Sequence, residues 1–168
     1  MLAQALILSH FDYAIGAWYP SLIKKHKKAL QVAQNKIVHF VLELGPGAHK
    51  GRHELDKMGI PCVEDRSPQL ILHTMYDVFN STAHIYLCNN LVCNRTRYIT
   101  RHSNNSFQIP RTKGIYNKNN FSTFGAQLWN NLPNNIKTIP TKASFKKSIK
   151  EYLKQQAHSR ENSKFIYY

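Results

Sequence analysis

The chain has 168 residues, 42% of them hydrophobic and 11% aromatic, and sets 23 Lys and Arg against nine Asp and Glu for a formal charge of +14. It reads as soluble and mostly folded, large enough for one domain or two small ones; no apolar run approaches the roughly 18 residues of a membrane-spanning helix, and the start MLAQALILSH has no basic leader, so neither a span nor a secretion signal is expected. Cys62, Cys88 and Cys93 are odd in number and not spaced as a disulfide framework, which points to a reducing, intracellular setting or simply to small buried residues.

The spacing predicts a mostly α-helical chain. Residues 2–18 read as a short apolar helix that Pro20 ends, and Ser21 can cap the next one. Over residues 22–44, Leu22, His26, Ala29, Leu30, Ala33, Ile37, Phe40, Val41 and Leu44 share one face at helical spacing, and Lys24, Lys25, Lys27 and Lys28 share another. Gly45, Pro46 and Gly47 stop that helix. A loop with His49 and His53 and a short helix over residues 54–58 follow. The segment PQLILHTMYDVF is apolar around most of its circumference and should be a buried helix, with Glu64 and Asp65 in its first turn favoured by the helix dipole.

Beyond Cys93 the texture changes to Asn, Ser and Gly clusters between short apolar pieces, which sets an expected domain boundary near residue 93. FQIPR reads as a short strand or hairpin piece ending at Pro110. FSTFGAQLW reads as a helix with Phe121, Phe124, Leu128 and Trp129 on one side. In AQLWNNLPNNIK, Pro133 cannot continue a helix and Asn tolerates the left-handed conformation at a helix end, so Trp129 and Leu132 should fold back onto a core. Thr141 can cap a last helix with Phe145, Ile149, Tyr152 and Leu153 on one face and Lys146, Lys147, Lys150 and Lys154 beside it. The tail from about residue 158 reads as loose.

Charge follows the change of texture. Residues 1–93 hold nine basic and seven acidic side chains, whereas residues 94–168 hold fourteen basic side chains and only Glu151 and Glu161. An anionic partner is implied, nucleic acid first, because Lys and Arg on phosphates gain affinity by releasing counterions; solubility alone is the alternative. Candidate phosphate contacts are Lys24, Lys25, Lys28, Arg95, Arg97, Arg101, Arg111, Lys113, Lys146, Lys147 and Lys150. The arginines interleave with Tyr98 and Phe107, which either stack on bases or dock on the core. Two-metal phosphoryl transfer needs clustered carboxylates, and Glu64 with Asp65 is the sole adjacent acidic pair. His84, Cys88, Cys93 and His102 are ligand types that zinc accepts, but their spacing matches no common finger. No metal, cofactor or catalytic residue is therefore expected.

Taken together, LILSHFDYAIGAWYPSL, LQVAQNKIVHFVL and YITR…FQIPRTKG…FSTFGAQLWNNLPNNIKTIPTKASFKKSIKEYL resemble the C-terminal end of reverse transcriptases from non-LTR, LINE-type (jockey-like) retrotransposons. The resemblance covers nearly the whole chain. Its most specific piece is the Gly-x-x-Leu-Trp-Asn-x-Leu-Pro run, here Gly125, Leu128, Trp129, Asn130, Leu132 and Pro133, followed by Phe145, Lys146 and Lys147. The resemblance implies that residues 1–93 are a helical thumb-like unit and residues 94–168 a basic post-polymerase unit. It also implies a partner such as element RNA or a template–primer duplex, in a nuclear or cytoplasmic ribonucleoprotein. In that family the polymerase and endonuclease lie before the matched segment. No Asp-Asp pair occurs in this sequence, so no catalytic residue carries over, and Met1 reads as a start inside a truncated copy. The rival expectation is a protein-interaction module, or a domesticated fragment, that binds a partner through an exposed apolar face.

Overall fold

A computed structural model describes residues 9–41, 43, 55–56, 59–91, 93, 105–111 and 119–164. The protein is mostly α-helical, as expected. Its helices are α1 (Ser9–Asp12), α2 (Ile15–Trp18), α3 (Lys24–Val41), α4 (Val63–Phe79), α5 (Ile85–Asn90), α6 (Phe121–Asn130), α7 (Asn134–Lys137) and α8 (Lys142–Lys164). Packing divides the chain into two units, residues 1–67 and 68–168. The division falls inside α4, before Pro68, and not near residue 93. Composition changes at 93, but Leu91 and Phe107 on either side of it enter one core with Ile71 and Trp129.

In the first unit the expected single helix before Pro20 is broken in two. Ala14 takes a left-handed backbone at φ 48°, which interrupts the helix, and the Trp18 indole N–H donates to the Tyr13 carbonyl at 2.9 Å across the break. Helix α3 ends at Val41, and Glu43 turns left-handed at φ 50° before Gly45 is reached. Its inward face is rotated from the one the apolar spacing predicts. Gln34 and Val38 are buried, while His26, Ala29 and Phe40 are exposed.

The cause of that rotation is a polar contact that hydrophobic periodicity cannot register. The first amide of α4, Val63 N–H, is an orphan donor of a helix N-terminus. It donates to Gln31 Oε1 and Gln34 Oε1, each at 3.1 Å. The Gln34 amide in turn donates to the Pro61 carbonyl at 3.0 Å. Two glutamines of α3 thus cap α4 from outside, and Val38 packs with Leu55, Ile60 and Cys62 beside them. Asp12 accepts a two-pronged contact from the Arg66 guanidinium at 2.9 and 2.6 Å, tying α1 to the start of α4.

The second unit is built around α4 from Pro68 on, whose residues 68–79 are all buried or half-buried, as the all-round apolar pattern requires. Trp129 is completely buried and lies 5.1 to 5.9 Å, centroid to centroid, from Phe79, Phe107 and Phe145. Tyr76 stacks on Phe145 at 4.3 Å and places its hydroxyl at 3.0 and 2.9 Å from the carbonyls of Ile139 and Pro140. Helix α4 ends in a left-handed Ser81, with Thr82 N–H returning to the Asp77 carbonyl and Ser81 N–H to Val78, a Schellman closure.

The Gly-x-x-Leu-Trp-Asn-x-Leu-Pro run forms the last two turns of α6 and the step to α7. Asn120 caps the start of α6 through Thr123 N–H at 2.8 Å. The face of α6 turned inward is Thr123, Gly125, Ala126 and Trp129, with Phe121, Phe124 and Leu128 half-buried around it. Gly125 sits where a β-carbon would stand 2.9 Å from Met75 Sδ, so the close approach of α6 to α4 depends on its missing side chain. Leu132 is buried, and Pro133 provides the extended residue from which α7 starts.

Three sequence expectations are corrected here. FQIPR is not a strand: among the described residues the only pairing is an isolated antiparallel bridge from Phe107 to Cys93, because the Asn130 side chain takes both polar groups of Phe107. The helix end at Asn131 is right-handed (φ −76°) and not left-handed. There the Asn130 carbonyl is satisfied by the Lys137 ammonium at 3.1 Å, so no left-handed closure is needed. Finally, α8 continues to Lys164, past the residue 158 at which a loose tail was expected; Arg, Glu and Lys within that stretch are good helix formers.

Candidate nucleic-acid interface

The positive side chains sort by what holds them. Among the lysines at the start of α3, Lys27 is committed to structure: its ammonium donates to the Pro20 carbonyl at 3.4 Å and stands 5.0 Å from the centre of the Tyr19 ring. Lys24, Lys25 and Lys28 are exposed, as is Lys36 two turns further on, and none of them makes an ion pair among the described residues. Lys24, Lys28, Val32, Lys36 and Phe40 follow one another at four-residue spacing, the row that runs along a helix surface. All five are exposed.

These lysines stand where helix electrostatics disfavours them. The N-terminus of a helix carries the positive end of the macrodipole and prefers acidic side chains. The first turns of α3 hold four lysines, and the helix has no Asp or Glu at all. Helix stability therefore gives no reason for the cluster.

Helix α8 repeats the arrangement. Lys142, Lys146, Lys150 and Lys154 form a four-residue row about 18 Å long, with Lys147 beside it. All are exposed, and Phe145 and Ile149 anchor the adjoining face in the core. The Thr141 hydroxyl caps the helix, accepting from Ser144 N–H at 3.4 Å. Lys142 is partly neutralised by Asp77 at 2.6 Å; Lys146, Lys147, Lys150 and Lys154 have no such partner among the described residues.

Arg111 is exposed at the end of the segment that Asn130 holds. Arg95, Arg97, Arg101 and Lys113 lie outside the described residues, as do Tyr98, His49, His53 and His102. Phe107 is not a stacking platform, because its ring is buried against Phe79 and Trp129. His84 caps α5, its Nδ1 accepting from Tyr86 N–H at 3.3 Å, and among the described residues no three His, Cys, Asp or Glu side chains gather as a metal site. Lys36, and Lys154 from the lysine face expected on the last helix, extend the two rows beyond the candidate phosphate contacts. Counting fours from Lys28 and Lys150 is the signal that finds them.

Two buried titratable groups belong to the frame and not to the interface. Burial pushes the Tyr19 phenol up to about 12, with the charges of Glu64, Cys62 and Asp65 adding to it. Burial lowers the pKa of Lys137, whose ammonium ends at the C-terminus of α6.

No protein family, curated protein or solved structure matches the chain. No helix among the described residues is long and apolar enough to cross a membrane.

Proposed function

We propose that the chain binds RNA or DNA through lysine contacts to phosphates, and that it corresponds to the C-terminal, non-polymerising region of a non-LTR retrotransposon reverse transcriptase. The observation that carries the binding reading is the pair of four-residue lysine rows on α3 and α8, exposed and, apart from Lys142, without acidic partners among the described residues. An anionic strand laid along the α8 row meets one ammonium per turn, and along the α3 row it meets Lys24, Lys28 and Lys36 and relieves the clash between the first lysines and the helix dipole. The retroelement origin rests on the Gly-x-x-Leu-Trp-Asn-x-Leu-Pro run. Apart from the exposed Pro133, its defining residues are buried or half-buried, so in this reading the run preserves the frame that carries the lysines and contacts no substrate.

No polymerase activity is assigned. The sequence has no paired aspartates of the kind that hold two metal ions at a phosphoryl-transfer site. The setting that goes with this reading is an intracellular ribonucleoprotein. Filter binding of RNA and duplex DNA fragments by the full chain tests it, with Lys146, Lys147 and Lys150 changed together to Glu as the comparison. Binding that the triple change weakens at least tenfold supports the reading; no retention of either nucleic acid by the parent chain overturns it.

A further inference from the structure

Phe40 is the most exposed large apolar side chain among the described residues, at 82%. The apolar spacing of α3 would bury it, but the Gln31 and Gln34 cap on Val63 turns that face of the helix outward. The ring therefore stands in solvent at the end of the row Lys24, Lys28, Val32, Lys36, one turn, or about 6 Å of rise, beyond the Lys36 ammonium-bearing position. The row spans about 24 Å. Every formal charge on α3 is positive.

A free aromatic face at the end of a cationic track suits single-stranded nucleic acid. Bases of a single strand are open to stacking on a ring, while the phosphates follow the cations; in a duplex the bases already stack on one another. Helix α8 lacks this combination, since Phe145 is buried and Tyr152, half-buried, is engaged with Gln156. We propose that α3 is a single-strand binding surface on which Phe40 stacks a base while Lys24, Lys28 and Lys36 hold the phosphates. This rests on the nucleic-acid reading above and adds to it the strand type and a stacking residue.

The test uses the full chain and fluorescence anisotropy with a labelled oligouridine, a labelled oligothymidine and a duplex of equal length. Phe40→Ala is expected to weaken single-strand binding by about 5- to 150-fold, the range for loss of one base–aromatic stack. Phe40→Trp should restore it, and duplex affinity should not change. The salt slope should be the same in all three proteins, because Phe40 carries no charge, whereas Lys36→Gln should reduce it by about 0.7. If the parent binds single strands and Phe40→Ala binds them equally well, the stacking surface is refuted while phosphate binding stands. Equal losses on single strand and duplex also refute it. If the parent binds neither, both readings fall. Should an acidic amphipathic helical peptide bind in a Phe40-dependent way while the oligonucleotides do not, the surface is a protein dock and the proposal is wrong.

Discussion

The Asn130 side chain holds Phe107 by both backbone polar groups: Oδ1 accepts the Phe107 N–H and Nδ2 donates to the Phe107 carbonyl, each at 2.9 Å. An amide side chain here does the work of a neighbouring strand. The adjacent Trp129 indole N–H donates to the carbonyl of Asn105, whose backbone is left-handed at φ 70°. Asn130→Ala should therefore cost about 2 to 4 kcal/mol, since two hydrogen bonds are lost and buried peptide groups are left unmet. Asn130→Asp keeps the acceptor for the Phe107 N–H but turns a carboxylate oxygen, which cannot donate, towards the Phe107 carbonyl, so at neutral pH it should cost at least as much as the alanine change. Urea unfolding gives the ranking, and amide exchange at Phe107 should quicken in both variants.

Gly125→Ala should destabilise the second unit by about 1 to 3 kcal/mol, the usual range for overpacking a filled core. The new methyl would meet Met75 Sδ at 2.9 Å and Ile71 Cγ2 at 3.4 Å. Combining it with Met75→Ala should cost less than the two single changes added together, because the clash disappears with the sulfur. A thermal-unfolding double-mutant cycle checks this.

Gln34→Leu is the change that hydrophobic patterning would call harmless or helpful. It should instead cost about 1 to 3 kcal/mol, because the Pro61 carbonyl loses its donor and Val63 N–H loses one of its two acceptors. Leu30→Gln, at a half-buried position on the same helix, makes no such demand, so the two variants compared by denaturant midpoint separate a lost cap from a general helix effect.

The contrast between those two residues shows what the sequence makes legible. The buried α4, the Phe145 and Ile149 face of α8, the Thr141 cap and the inward Trp129 all follow from periodicity and turn chemistry, which act locally. The α3 face could not be read, since the contact that orients it joins Gln34 to Val63 across 29 positions. The strand expected at Phe107 failed for the same reason: its partner is a side chain 23 residues away. On the lysine rows, composition identified the charge and helical spacing identified the neighbours, but only the rotated face of α3 reveals that Phe40 lies with the lysines.

Alkaline pH should loosen the first unit through Tyr19. Its ordinary value of 10.0 is pushed up to about 12 by burial and by nearby negative charge. A group with a raised folded value contributes stability that is fully present below pH 10 and is lost as pH rises towards 12. The loss is on the order of 2 to 3 kcal/mol, from two units at about 1.4 kcal/mol each. Lys137, in the second unit, works in the opposite sense, because raising pH relieves the burial of its charge. Stability against pH for the parent and Tyr19→Phe isolates the tyrosine: the parent should lose stability between pH 10 and 12, and the variant should lack that component.

The central claim is that phosphate neutralisation by the lysine rows drives binding, and the salt dependence of affinity tests it most directly. For the full chain, the logarithm of the binding constant should fall linearly with the logarithm of salt concentration, by about 0.7 per contact on single strands and 0.9 on duplex DNA. Changing Lys146, Lys147 and Lys150 to Glu should lower the magnitude of that slope by at least about 2 to 3, with sequence preference unchanged, because phosphate contacts set position and not sequence. A slope near zero, or one that the triple change leaves intact, would contradict the account.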